Sequence, residues 1–178
     1  PFVQIAPTDL AAFTETVRGR GARRFREAAA LARIGAESRM ETLLRLAGVR
    51  VGMPELEVQA DLHDAEGAWI GRFDTVDFET RSIFEYDGEQ HFTSRKQRRR
   101  DPRKHQAARD AGWRILVFYQ EDLLDGLRAA GARMLEFSGH RSQAIRPSLA
   151  KLLDEPLGVG TESAVPRPEA RNCSSPSR

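Results

Sequence analysis

The stretch Ala68–His91, "AWIGRFDTVDFETRSIFEYDGEQH", holds two runs of strand character joined by a few polar residues. Side chains on a strand alternate between its faces. In the second run Ile83, Glu85 and Asp87 therefore share one face, and Phe84 and Tyr86 the other. A connection this short predicts an antiparallel pair over 68–78 and 81–87. Centring the turn on Glu79-Thr80 places Asp74 directly opposite Glu85. Like charges facing each other destabilise a sheet. At roughly 5 Å and an effective dielectric of about 20 the repulsion is about 3 kcal/mol. A divalent cation would reverse the sign of that field. Mg²⁺ suits such a site, because it is held by one or two carboxylates with waters completing its shell. The other reading is a pair of surface acids matched by Arg72 or Arg81.

Upstream, "ELEVQADLH" (55–63) alternates Leu56, Val58, Ala60 and Leu62 with polar residues, the mark of a half-buried strand. It extends the pair to a three-stranded meander. Residues 8–33 read as helical, in two pieces divided at Gly19-Arg20-Gly21. A third helix spans about Ser38–Ala47, with Met40, Leu43, Leu44 and Ala47 inward, and Gly48 stops it. Downstream, Asp101-Pro102 reads as a helix start, a capping acid before a residue with no N–H to lose. That helix ends at Gly112. A short apolar strand follows over 113–119, then an amphipathic helix over 121–137 with Leu124, Leu127, Met134 and Leu135 inward. Trp69, Phe73, Trp113 and Tyr119 read as core. The order is α-α-α-β-β-β-α-β-α. From about residue 155 the chain is too poor in aliphatic residues to offset the entropy of ordering, so disorder is expected there.

The 178 residues are 40% hydrophobic and 30% charged, with a net charge of only +2. That is the composition of a water-soluble domain with a core, and it excludes a polycation. No apolar run reaches the length of a membrane span, so no membrane association is expected. The single cysteine, Cys173, cannot build a disulfide framework, and a cytoplasmic location is expected from it. Positive charge is concentrated in "SRKQRRRDPRKHQAAR" (94–109), with eight Lys or Arg and one acid. A basic run is often only a solvated face. Following an acid pair, this one suggests a polyanionic substrate whose phosphates it would hold without reading sequence.

The residues "GRFDTVDFETRSIFEYDGEQH" and "RRRDPRKHQAARDAGWRILVFY" resemble an endonuclease-like family of bacteria related to the very-short-patch repair (Vsr-like) endonucleases, in the PD-(D/E)XK superfamily. The resemblance covers about residues 37–137. It rests on G-R-x-D, E-Y-D-G-x-x-H, D-x-R at a helix start, and G-W before the last strand. It implies an α/β restriction-endonuclease-like core, a four-stranded mixed sheet flanked by helices, spanning 37–140. Residues 1–36 would then be a helical segment, a remnant of or linker to an upstream DNA-binding domain, and 141–178 an extension.

The resemblance also implies Mg²⁺- or Mn²⁺-dependent hydrolysis of DNA phosphodiesters. Asp74 falls at the motif aspartate and Glu85 at the second acid. Asp87 stands where the wider superfamily usually has lysine, so the positive charge would come from Lys96, Lys104 or His91. Asp74, Glu85, Asp87 and His91 form the implied catalytic set. Glu41 matches an acid that faces the metal, often through water. It also completes Ser38-Arg39-Met40-Glu41, an S-x-x-E capping box. His91 would protonate a leaving group or hold a phosphate, or is a structural strand-end histidine. Arg95, Lys96, Arg98, Arg99, Arg100, Arg103 and Lys104 are the expected DNA contacts. The rival from another class is a non-catalytic nucleic-acid-binding or regulatory module on the same fold.

Overall fold

The computed structural model describes residues 6–88 and 97–155, with the side chains among them except those of Pro7 and residues 97–101. Its elements are α1 (Pro7–Thr16), α2 (Ala22–Ala29), α3 (Arg39–Arg50), β1 (Glu57–His63), β2 (Trp69–Asp77), β3 (Ser82–Tyr86), α4 (Gln97–Asp110), β4 (Arg114–Phe118), α5 (Gln120–Leu124), α6 (Leu127–Ser138) and α7 (Pro147–Leu153). The four strands form one sheet in the order β1-β2-β3-β4. The first three are antiparallel neighbours, and β4 lies parallel to β3, reached through α4. The chain is thus α/β, with a four-stranded mixed open sheet between helices. Among the described residues no helix is long and apolar enough to cross a membrane.

Period-two alternation divides the core. Phe84 and Phe118 face one side, where Leu44, Ala47, Leu123 and Met134 of α3, α5 and α6 close over them. Ile83 faces the other side, with Leu62, Phe73, Val76 and Ala108 of α4. The β2–β3 ladder pairs Thr75 with Phe84, Val76 with Ile83 and Asp77 with Ser82. That is the register read from the sequence, though the turn is longer than a two-residue Glu-Thr reversal. Residues 78–81 make it, with Arg81 left-handed at φ 49°. Asp77 holds the turn closed. Its Oδ1 accepts from the N–H of Glu79 (3.0 Å) and Thr80 (3.4 Å), and its Oδ2 accepts from Thr80 Oγ1 (2.6 Å) and meets His140 Nε2 at 2.7 Å.

Several local expectations are corrected. The helix α4 begins at Gln97, so Asp101-Pro102 lies within it and not at its start. The helix expected over 121–137 is two helices, broken at Asp125-Gly126 where Gly126 has φ 139°. Gly48 does not stop α3. It is buried inside the helix, where a Cβ would stand 3.2 Å from Leu56 Cδ1, so close packing and not termination explains it. The helix α7 was not foreseen. Trp69 is 63% exposed and Tyr119 42%, so neither is core, and Leu124 is exposed as well. Trp69 sits outside because its Nε1 donates to Asp61 Oδ1 (2.8 Å) across the β1–β2 edge. The tail from residue 156 lies outside the described residues.

Thr75 is fully buried between Val58 and Phe84, and among the described residues its hydroxyl has no hydrogen-bond partner. An unsatisfied buried hydroxyl has lost its water without replacement. Thr75→Val keeps the shape and removes that group, so stability should rise by about 1 kcal/mol in chemical denaturation. A fall of similar size would show that the hydroxyl has a partner, such as an ordered water.

Candidate active site

Asp74 stands where the β2–β3 ladder ends. Its Oδ2 accepts from the Tyr86 N–H (2.9 Å), so its side chain continues the ladder one residue beyond the last backbone pair. Gln59 of β1 faces it from the other side. Gln59 Nε2 lies 3.4 Å from Asp74 Oδ1 and donates to Glu41 Oε2 at 2.8 Å. Glu41 is in the first turn of α3. Ser38 caps that helix by accepting from the Glu41 N–H (3.2 Å), as expected. The glutamate does not complete the capping box on Ser38. Its Oε2 takes the N–H of Glu37 instead (2.7 Å), which aims the carboxylate at Gln59.

Glu85 is buried and faces α4, as alternation along β3 requires. Lys104 Nζ donates to its Oε1 at 2.6 Å and to the Arg72 carbonyl at 2.9 Å, and lies 4.3 Å from the centre of the Phe73 ring. His105 Nε2 meets Oε2 at 2.7 Å while its ring stacks beside Phe73. The lysine stem also accounts for Gly71. A Cβ there would fall 2.6 Å from Lys104 Cγ, so the G-R-x-D glycine leaves room for this side chain.

These surroundings drive the two acids apart. Burial, helped by the charges of Glu85 and Glu41, pushes the Asp74 carboxyl from its ordinary 3.8 to about 7, against the pull of the Tyr86 N–H. Burial also works to raise Glu85, but the His105 hydrogen bond and the Lys104 charge outweigh it, and Glu85 stays below its ordinary value. Near neutral pH one carboxyl holds a proton easily and its neighbour stays ionised. Such divergence between adjacent groups is a common feature of acid–base sites.

Of the residues singled out from sequence, Asp74, Glu85, Glu41 and Lys104 come together. Asp87 is exposed at the end of β3, where its N–H donates to the Phe118 carbonyl (2.9 Å), and Arg103 is exposed on α4. His91, Arg95 and Lys96 lie outside the described residues, as do the side chains of Arg98, Arg99 and Arg100 in the first turn of α4. Neither Arg72 nor Arg81 pairs with the acid pair. Arg72 bonds Asp61 instead (3.1 Å). Gln59 and His105 were missed. The signal for His105 was its place three residues before Ala108, on the same helical face. For Gln59 a strand pattern offers none.

Among the described residues, no three carboxylate, imidazole or thiol groups stand close enough together to hold a metal ion. A site of two carboxylates completed by waters asks for less. Among the described residues Asp74 Oδ1 has only the long contact to Gln59, and a carboxylate has about four lone-pair sites, so Glu85 keeps acceptor capacity beyond Lys104 and His105. The donor set is all hard oxygen and carries excess negative charge, which fits Mg²⁺ or Mn²⁺. No protein-family model matches this chain, and neither the curated proteins nor the solved structures compared with it gave a match.

Proposed function

We propose that this protein is a metal-dependent endonuclease with a restriction-endonuclease-like core, hydrolysing DNA phosphodiester bonds. The observation that carries this reading is the Asp74 carboxyl, which accepts from the Tyr86 N–H beside Glu85 and Glu41 and is pushed toward protonation by its burial, with their charges adding to it. A fold keeps such a destabilised acid where function needs it. Asp74 and Glu85 would hold Mg²⁺ or Mn²⁺, with Glu41 acting on Asp74 through Gln59. The cation, when bound, would supply Lewis acidity toward water and the phosphate oxygens.

The remaining chemistry belongs to the chain. Lys104 replaces the lysine that Asp87 does not provide, arriving from α4 instead of β3. Its Nζ, fixed by Glu85 and the Arg72 carbonyl, puts a positive charge beside the carboxylates, where negative charge grows on a phosphoryl group under attack. His105 keeps Glu85 ionised and is itself held in one orientation by Glu85 and Phe73. DNA would lie along the α4 side, where Arg103 is exposed.

One observation favours the rival, a nucleic-acid-binding module without catalysis. Both Glu85 oxygens already have partners, so Lys104 and His105 satisfy the buried charge without a cation. Supercoiled plasmid incubated with the protein and Mg²⁺ or Mn²⁺ separates the two. The nuclease reading expects nicked or linear product that EDTA abolishes. DNA binding in a mobility-shift assay with no cleavage under either ion would select the rival.

A further inference from the structure

Gln59 lies in the middle of β1, yet its backbone is left-handed, with φ 53°. Residues other than glycine seldom adopt that conformation, and it persists only where the surroundings impose it. The register on either side is continuous, Val58 with Thr75 and Ala60 with Phe73, but the rung between them, Gln59 with Asp74, is missing. At this rung both strands change face. Leu56 packs in the α3 core while Ala60 and Leu62 pack in the α4 core. On β2, Phe73 and Val76 share the α4 core although strict alternation would separate them. The distortion leaves the Gln59 amide between two carboxylates, 2.8 Å from Glu41 Oε2 and 3.4 Å from Asp74 Oδ1. An ionised carboxylate only accepts, and it is the nitrogen end of the amide that lies toward both acids. A lysine or arginine in this position would bridge the acids more strongly, and would also neutralise them.

We propose that Gln59 is the positioning residue of the carboxylate site: its uncharged amide holds Glu41 and Asp74 together without neutralising either, reserving their charge for a divalent cation. This inference rests on the metal-dependent reading above and names the part that prepares the site.

Calorimetric titration with Mn²⁺ tests it, run on the full chain, on Asp74→Asn, on Gln59→Leu and on Gln59→Lys. Melting temperatures without metal and plasmid cleavage are measured on the same samples. Gln59→Leu should bind Mn²⁺ about tenfold or more weakly, the usual cost of losing a group that orients a ligand. Gln59→Lys should raise the metal-free melting temperature and lose Mn²⁺ binding, because an ammonium then occupies the place of the cation. A merely structural glutamine would not link those two changes in opposite directions. Wild-type affinity in Gln59→Leu, or in Gln59→Lys should the leucine variant fail to fold, overturns the proposal. If wild type binds Mn²⁺, Asp74→Asn does not, and no DNA is cut, the endonuclease reading fails and the role of Gln59 stands. If wild type binds no Mn²⁺, both fail.

Discussion

Asp74→Asn is expected to stabilise the metal-free protein at pH 8 and to abolish DNA cleavage. The folded state raises this carboxyl from 3.8 to about 7. A raised carboxyl favours folding below its unfolded value and loses that contribution as the pH rises through its folded value. Wild-type stability should therefore decline between about pH 4 and pH 7, and the asparagine variant should lack that slope. At about 1.4 kcal/mol per pKa unit the full cost above pH 7 has a ceiling of about 4–5 kcal/mol. Asparagine can still accept from the Tyr86 N–H, but its amide then confronts the Gln59 nitrogen, so a net gain of about 1–2 kcal/mol is expected. Mg²⁺ should raise the melting temperature of the wild type, more at pH 8 than at pH 6, because it competes with the proton on Asp74. It should hardly move the variant. Denaturation curves across this pH range, with and without Mg²⁺, check each part. A destabilised variant with an intact Mg²⁺ response would make Asp74 a structural acid.

Lys104→Met should reduce cleavage at least about a hundredfold, the usual loss when a fixed donor to a developing negative charge is removed. Mg²⁺ binding should survive, since the competing ammonium is gone and both candidate ligands remain. Removing one partner of a buried ion pair costs about 3–5 kcal/mol. Lys104 is 21% exposed, so about 2 kcal/mol is expected here. The acid limb should shift too. Glu85, held below its ordinary 4.5, contributes stability above that value and loses it as the pH falls through its lower folded value. Without Lys104, burial acts against His105 alone, and the loss should begin at higher pH. Single-turnover rates and acid denaturation together decide the matter. Unchanged cleavage with lowered stability would leave Lys104 a structural counterion and return the positive charge to Lys96 or His91.

The strand pair, its register and the face of Glu85 were legible because they depend on period and on the length of one turn. Asp77 completes that turn two residues earlier than the Glu-Thr pair suggested, so the register came out right while the reason for it lay in a different residue. The helix boundaries read less well. Pro102 marks a helix start in isolation, yet here it lies within α4. Gly48 marks a stop in isolation, yet here it is the point where α3 needs to be thin.

Local pattern was enough for the α/β class, the antiparallel meander, the buried face of α3 and the register that brings Asp74 beside the end of β3. All of these follow from neighbours a few residues apart, where alternation, helical period and turn length act directly. A mixed sheet was expected only through a family resemblance, and the tertiary fold realises it by carrying α4 across the sheet and docking β4 parallel to β3. The same crossing brings Lys104 and His105 onto Glu85, contacts separated by 19 and 20 residues that no local period encodes. The left-handed turn of Gln59 is likewise a product of the assembled sheet. Its side chain meets Glu41 from 18 residues away and Asp74 from 15, contacts that exist only once α3, β1 and β2 are packed together.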